Sequence, residues 1–214
     1  MPLTDINFGN WMSISDMELV IDRHIDTEDI HCVPRDRIAN ADAKKFYDEI
    51  IPIFCLAKDY EASEVFYVDD NEPNNNFDGK IRIKGTIISV ECTKAISTED
   101  AVSQSKITKL CENQGYFGTY GCSIPLDVFK IKVSKIIQDA VEKKIKKSQE
   151  QSRKYEGFHL IVTLDDTYFR FCNKNDIITG IRDYFTLEDI FPFQKVLLYW
   201  KTYTGKPEKI IEIE

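Results

Sequence analysis

The spacing of apolar positions changes along the chain and predicts the order of its elements. From about residue 40 the apolar residues recur every three or four positions, which is typical of one buried helix face: Ala43, Phe46, Ile50, Phe54 and Ala57. Asn40 or Asp42 is a suitable N-cap for this helix. Pro52 is expected to kink it or to end its first half, because proline removes a helical hydrogen bond.

The stretch that follows the first helix predicts three strands. Residues 65–68 are β-branched or aromatic, and residues 77–83 and 86–93 alternate between apolar and polar side chains. The polar run 69–76 predicts a loop, and Lys84-Gly85 predicts a tight turn between the second and third strands. A β-hairpin is therefore expected over 77–93.

The second half of the chain predicts two more helical regions and three more strands. Residues 97–126 are rich in Gly and Ser and predict an irregular segment, and 127–153 predict a long helix with an apolar stripe at Val128, Ile131, Ile136, Ala140 and Val141. Residues 158–164 are nearly all apolar, which is typical of a strand buried on both faces. A helical patch at 186–191 and strands at 195–203 and 209–213 complete the order, with a turn at 205–207 between them.

This order predicts an α/β fold with a mixed central sheet and flanking helices. At 214 residues the chain fits one domain over 1–214. Residues 1–39 form an N-terminal extension whose segment 17–25 fits helical or extended spacing equally well. Residues 167–214 form a C-terminal elaboration of one helix and a β-hairpin.

Composition and charge restrict the class of protein. The formal net charge of −8 is unlike that of a protein that coats DNA, although it permits an enzyme with a local basic surface. The six cysteines contain no CxxC pair, and with three histidines they complete no zinc pattern, so we expect buried thiols in a reducing compartment. No signal peptide and no apolar run of membrane-spanning length is present, which predicts a cytoplasmic protein without membrane contact.

The predicted hairpin places two acids together. With a two-residue turn at Lys84-Gly85, Ile83 pairs with Thr86, and the register continues until Asp78 lies opposite Glu91. Like charges at such a pair destabilise a sheet unless something compensates them. A divalent cation with oxygen ligands, Mg²⁺ or Mn²⁺, is one compensation. Solvated surface acids neutralised by Lys80 and Arg82 are the other interpretation.

These segments resemble the PD-(D/E)XK nuclease superfamily. The matching residues are the run 76–79 around Asp78, the hairpin, the run 90–94 around Glu91, a long lysine-bearing helix and the apolar strand 159–164. The resemblance covers about residues 40–166 and implies a restriction-endonuclease-like α-β-β-β-α-β core. It further implies a metal-dependent hydrolase of nucleic-acid phosphodiester bonds.

Residue by residue, the resemblance implies a metal site made of Asp78, Glu91 and the backbone carbonyl of Cys92, with Glu49 as an additional metal ligand. The superfamily's lysine falls at Thr93, which faces the site but carries no charge. Lysine migrates in this superfamily, and we expect Lys143 or Lys147 to replace it. The superfamily's proline before the first acid is also absent, because Phe77 stands there.

The long helix adds a candidate nucleic-acid surface. Residues 127–154 contain nine Lys or Arg and four Asp or Glu, so this segment is positive within an acidic chain. Lys143, Lys144 and Lys147 are the expected phosphate-binding residues, with DNA as the expected partner. Lysines that only favour the helix dipole and solubility are an equal interpretation. The aromatic segment 115–121 could stack bases, although a plain surface loop is the simpler interpretation.

Two functions remain open from the sequence. The first is a metal-dependent nuclease, with Thr93 positioning water and Lys143 or Lys147 meeting the charge of the transition state. The second is a catalytically inactive relative that binds protein or nucleic acid, for which an acidic surface suits a protein partner; a homodimer is also compatible. A structural module whose two acids are only surface charge is a third, weaker interpretation.

Overall fold

The computed structural model describes residues 3–27, 44–69, 77–96, 126–150, 155–164, 178–179, 190–200 and 210–213. Within these ranges seven strands form one sheet: β1 Trp11–Ser13, β2 Glu64–Tyr67, β3 Gly79–Ile83, β4 Thr86–Ala95, β5 Phe158–Leu164, β6 Phe193–Trp200 and β7 Ile210–Glu212. The helices are α1 Ile14–Thr27, α2 Ile51–Asp59 and α3 Leu126–Glu150, and a π-helical turn Phe46–Ile50 leads directly into α2.

The strands lie in the sheet in their order along the chain. Strands β1 to β4 are successively antiparallel, β4, β5 and β6 are parallel, and β7 is antiparallel to β6. A parallel pair needs a crossover connection, and α3 lies in the connection between β4 and β5. The expected mixed sheet with helical cover is confirmed.

Each face of the sheet carries its own core. Side chains such as Val65, Ile81 and Val90 share one core with α1, the π-helical turn and α2. On the opposite face, Leu160, Val162 and Leu198 share a second core with α3. Successive residues of a strand point to opposite faces, so β5 is buried and nearly all apolar because both of its faces are covered; His159 and Thr163 are its polar residues. The predicted buried strand over 158–164 is confirmed.

The N-terminal segment contains a strand and a helix that the apolar pattern did not separate. The Ser13 side chain caps α1, since its Oγ accepts the Asp16 N–H at 3.1 Å and donates to Asp16 Oδ2 at 2.7 Å. The buried side chains Met17, Val20, Ile21 and His24 then follow helical spacing. The Ser-x-x-Asp pattern at 13–16 is the sequence signal that favours the helical interpretation.

The first predicted helix changes its hydrogen-bonding pattern next to Pro52, where we expected a kink or an end. The chain is π-helical up to Ile50 and α-helical from Ile51, and Pro52 lies in the first turn of α2. Proline has no N–H to donate, and it lies where the hydrogen bonding changes from the π-helical to the α-helical pattern. The caps expected at Asn40 or Asp42 lie outside the described residues.

The long helix is confirmed, but its apolar stripe is partly wrong. Ile131 is 47% exposed, whereas Val133 and Ile137 are buried together with the expected Ile136 and Val141. The stripe therefore follows Val133, Ile137 and Val141 at intervals of four residues. The side chain of Val128 is not among those that the structure describes.

The C-terminal strands are confirmed, with β6 beginning two residues earlier than predicted. Phe191 and Pro192 form a turn rather than the end of a helix, so that part of the predicted helical patch is wrong. Residues 186–189, the polar loop at 70–76, the segment 97–125 and the turn at 205–207 lie outside the described residues.

Candidate functional site

The β3–β4 hairpin has the register that its turn predicts. Ile83 pairs with Thr86, and the ladder continues to Gly79 and Val90. Lys84 and Gly85 both have positive φ angles, of 48° and 86°, as a two-residue hairpin turn requires. The five predicted pairs from the turn to Gly79 are confirmed.

Asp78 departs from the predicted register. The ladder stops at Gly79, and the Asp78 N–H donates to the Val90 carbonyl at 2.9 Å. Asp78 is therefore not the ladder partner of Glu91, and the prediction that the two lie directly opposite is wrong. The Asp78 carboxylate instead accepts the Cys92 N–H at 2.6 Å, so it satisfies a backbone donor that the shortened ladder leaves open.

Gly79 keeps Asp78 in this position. A Cβ atom at residue 79 would lie 2.7 Å from the Phe66 carbonyl oxygen and 2.9 Å from Ile53 Cδ1. The strand therefore approaches β2 and α2 too closely for any side chain. This close approach accompanies the contacts of Asp78 with Val90 and Cys92 in the middle of β4.

Glu91 lies on the face of β4 that α3 covers. Its side chain is buried, and Oε1 lies 2.5 Å from Lys144 Nζ. The Tyr155 hydroxyl lies 3.4 Å from the same oxygen. A buried carboxylate requires a partner, and here the ammonium of α3 provides it.

The electrostatics of Asp78 connect three acids and one lysine. Burial, followed by the charges of Glu91 and Glu49, raises the Asp78 pKa to about 8, while Lys144 and the Cys92 N–H act in the opposite direction. Burial would lower the Lys144 pKa, but Glu91 and Asp78 outweigh it and raise that pKa. Burial and the same acids also raise the pKa of the Cys92 thiol. The Asp78 carboxyl group is therefore close enough to Glu91 and Glu49 to be affected by their negative charges.

The structure brings most of the predicted site residues to this region. Glu49 lies on the π-helical turn, close enough to act on Asp78, and Thr93 follows Glu91 on the same face of β4. Lys143, however, is exposed, and Lys147 is half-buried. In the described part of the chain, the helix lysine that contacts Glu91 is Lys144, which we expected only as a phosphate-binding residue.

Sequence pattern contains a signal for Lys144 but none for Tyr155. Lys144 continues the buried stripe of α3, because it follows Val141 by three residues and precedes the buried Ser148 by four. The corrected stripe would therefore have identified it. Tyr155 lies beyond the helix, and its contact with Glu91 spans 64 residues, so no local pattern indicates it.

The carboxylates of Asp78 and Glu91 suit a hard divalent cation only if water molecules supply further ligands. Among the described residues, no group of three or more His, Cys, Asp or Glu side chains is arranged to hold a metal ion. Mg²⁺, however, commonly binds through one or two carboxylates and keeps several waters. Burial, followed by repulsion from Glu91 and Glu49, raises the Asp78 pKa, and a cation of this kind would relieve the repulsion.

Comparisons with known proteins do not assign this chain to a family. No protein-family model, no curated protein and no solved structure matches it. Across the described ranges, none of the helices combines the length and the apolar character needed to cross a membrane.

Proposed function

We propose that this protein is a metal-dependent nuclease that hydrolyses phosphodiester bonds of nucleic acid. The observation that carries the proposal is the convergence of Asp78, Glu91 and Lys144 at the end of the β3–β4 hairpin. Two acids for a metal ion and one cation for an anionic transition state are the groups that this reaction needs.

The order of elements around the site supports a restriction-endonuclease-like core. The π-helical turn with α2, then β2, β3 and β4, then α3 and β5 follow the order α-β-β-β-α-β. Asp78 directly precedes the second strand of this series, and Glu91 lies in the third. The proposal places the core over residues 40–166, with β1, α1, β6 and β7 as additions.

The ligands of the proposed Mg²⁺ or Mn²⁺ are Asp78, Glu91 and the carbonyl of Cys92, with Glu49 nearby. Because the N–H and C=O of one strand residue point to the same side, the Cys92 carbonyl points toward Asp78, as its N–H does. When bound, a divalent ion of this kind lowers the pKa of water and stabilises charge on a phosphoryl oxygen.

The remaining residues have roles that follow from their positions. Lys144 holds Glu91 in place and carries the positive charge that Thr93 lacks. Tyr155 helps to orient the same carboxylate oxygen through its hydroxyl. Thr93 contributes a hydroxyl to the face of β4 that carries Glu91. The basic helix, with Lys143 and Lys147 exposed or half-exposed, is the proposed contact for the DNA phosphates.

Cleavage of plasmid and oligonucleotide DNA with added Mg²⁺ or Mn²⁺ tests the proposal. We expect cleavage that stops with chelator and falls by at least about a hundredfold in Asp78→Ala, as for loss of a group that holds the catalytic charge. Asp22→Ala, which changes an exposed acid on α1, the helix on the opposite face of the sheet from Glu91, is the control and is expected to cleave normally. Equal activity of Asp78→Ala and the unchanged protein would contradict the proposal.

A catalytically inactive relative is the second candidate, and one observation favours it. Lys144 already neutralises Glu91 without any metal ion, which weakens the need for a cation. Such a protein would bind nucleic acid or a protein partner through the same surface. Calorimetry with Mn²⁺ separates the two functions, since the inactive relative is expected to show neither binding that depends on Asp78 nor turnover.

A further inference from the structure

A row of aromatic rings crosses the sheet on the face that carries Glu91. The rings are those of Trp11, Phe66, Phe77, Phe158 and Tyr155, and the distances between consecutive ring centroids are 5.6, 6.3, 6.5 and 5.7 Å. The first four rings are only half-buried, whereas Tyr155 is fully buried. We call this set the aromatic row.

Two cations lie over the rings of this row. Lys80 Nζ is 4.1 Å from the centroid of Phe77 and 5.7 Å from that of Phe66. The guanidinium carbon of Arg82 is 4.0 Å from the centroid of Trp11, and Arg82 also pairs with Glu64. In the described part of the chain Lys80 has these ring contacts but no ion pair.

The register of the sheet explains why these side chains share one face. Trp11 pairs with Phe66, Phe66 pairs with Lys80, and Lys80 pairs with Ser89. Directly paired residues point to the same face of a sheet. The helices α1 and α2 pack on the opposite face, which carries Val65 and Ile81.

The aromatic row ends at the proposed catalytic site. Phe77 directly precedes Asp78 in the chain, and the last ring, Tyr155, has its hydroxyl 3.4 Å from Glu91 Oε1. A ligand that followed the row from Trp11 would therefore arrive at the two acids.

We propose that the aromatic row binds single-stranded nucleic acid and leads the strand to Asp78 and Glu91. Aromatic rings together with cations on one surface are the chemistry that recognises unpaired bases and the phosphates between them. Bases in a duplex are already stacked on one another, so the rings favour a single strand. The delivery to Asp78 and Glu91 rests on the proposed nuclease function, whereas the binding itself does not.

The number of cations near the aromatic row predicts how this binding depends on salt. Lys80 provides about one phosphate contact, because Arg82 already pairs with Glu64, and each contact to a single strand contributes a slope of about −0.7. We therefore expect log K to fall only weakly against log salt, with a slope of about −0.7. Stacking on the rings supplies the rest and is insensitive to salt.

Intrinsic tryptophan fluorescence tests the proposal directly. The chain has two tryptophans, and Trp200 is buried while Trp11 is half-exposed, so a change on ligand addition reports on Trp11. The full-length protein is titrated with oligo(dT) and oligo(U) of about 15 nucleotides and with a duplex of equal length, in chelator to prevent cleavage. We expect saturable quenching by the single strands and weaker binding of the duplex. The two single-stranded probes decide between DNA and RNA.

Three variants and one control keep the test specific. Trp11→Ala is expected to weaken single-strand binding by about tenfold, measured by anisotropy of a labelled oligonucleotide, and Trp11→Phe is expected to restore it without quenching. Lys80→Ala is expected to weaken it by about three- to fivefold. Lys58→Ala is the matched control, because Lys58 also lies over a phenylalanine ring, at 5.6 Å from that of Phe54, but on α2. It is expected to bind like the unchanged protein.

The outcomes separate this proposal from the nuclease function. Absence of quenching, or equal binding by the unchanged protein, Trp11→Ala and Lys80→Ala, would overturn the role of the aromatic row. Equal affinity for the duplex would also overturn it. If Asp78→Ala abolishes cleavage while the row variants bind normally, only this inference fails. If the row binds single strands and no metal supports cleavage, the nuclease function fails and the binding surface stands.

Discussion

The ammonium nitrogen of Lys144 lies 2.5 Å from Oε1 of Glu91, and this contact joins the second half of α3 to strand β4. The side chains are 17% and 5% exposed, so the pair is largely removed from water. The contact fixes how α3 is rotated on the sheet. It also leaves Lys143, the adjacent residue, directed to solvent.

Replacement of Lys144 by methionine is expected to destabilise the protein. The change keeps the length of the side chain but leaves the Glu91 carboxylate buried without its cation, which costs about 3 to 5 kcal/mol. Lys143→Met is the matched control and is expected to change the free energy of unfolding by less than about 0.5 kcal/mol. Urea denaturation of the two variants measures the difference. Equal stabilities would show that the ion pair does not hold α3.

Replacement of Asp78 by asparagine is expected to stabilise the metal-free protein at high pH. The folded-state pKa of about 8 lies above the ordinary value of 3.8, so between these two values the unfolded chain has released a proton that the folded protein keeps. Stability contributed by this group is complete at low pH and is lost as the pH rises toward 8. The asparagine side chain does not titrate, and it still offers an oxygen to the Cys92 N–H.

Thermal unfolding in chelator from pH 5 to pH 9 measures this effect. The advantage of the asparagine variant is expected to grow by on the order of 1 kcal/mol per pH unit and to level off above pH 8. Added Mg²⁺ is expected to stabilise only the unchanged protein. Parallel pH profiles for the two proteins would contradict the electrostatic account of the site.

Acid is expected to destabilise the protein through His159. This side chain is buried on β5, and burial, followed by the charge of Lys195, lowers its pKa to about 4 against the favourable effect of Glu212. Between pH 6.5 and pH 4 the unfolded chain therefore binds a proton that the folded protein does not. Stability is complete above pH 6.5 and is lost as the pH falls through this window.

The variant His159→Gln tests this pH dependence, because glutamine is polar but does not titrate. Between pH 6.5 and pH 4 the unchanged protein is expected to lose about 1 to 3 kcal/mol more than the variant. Above pH 7 the difference between the two is expected to be constant. Denaturant titrations at several pH values provide the measurement, and equal acid sensitivity would exclude His159 as its source.

The face of α3 that packs on the sheet can be tested with two isoleucines. Ile137→Ala is expected to cost about 2 to 4 kcal/mol, because Ile137 is fully buried and the change leaves a cavity. Ile131→Ala is expected to cost less than about 1 kcal/mol, since that side chain is 47% exposed. Chemical denaturation of both variants measures their free energies of unfolding and shows which side chain packs on the sheet. The reverse order of stabilities would mean that the helix is rotated as the initial stripe predicted.

Sequence pattern predicted the local features of the site well where two neighbouring segments interact. The turn at Lys84-Gly85 determines the pairing up to Gly79, because side chains alternate and a tight turn admits one register. Beyond Gly79 the pairing depends on how closely β3 approaches Phe66 and Ile53, which are distant in sequence. The predicted pairing of Asp78 with Glu91, one residue beyond the end of the ladder, is therefore wrong.

The sequence by itself determined the α/β class, the buried strand β5, the hairpin and the presence of acids near its open end, since each follows from local periodicity or turn chemistry. Only the tertiary structure decided that Lys144 rather than Lys143 contacts Glu91, that Asp78 accepts the Cys92 N–H, and that five aromatic rings form one row. Those relationships depend on how α3 is rotated against the sheet and on where the β3–β4 ladder ends. Both are set by packing between segments far apart in the chain, which no local pattern encodes.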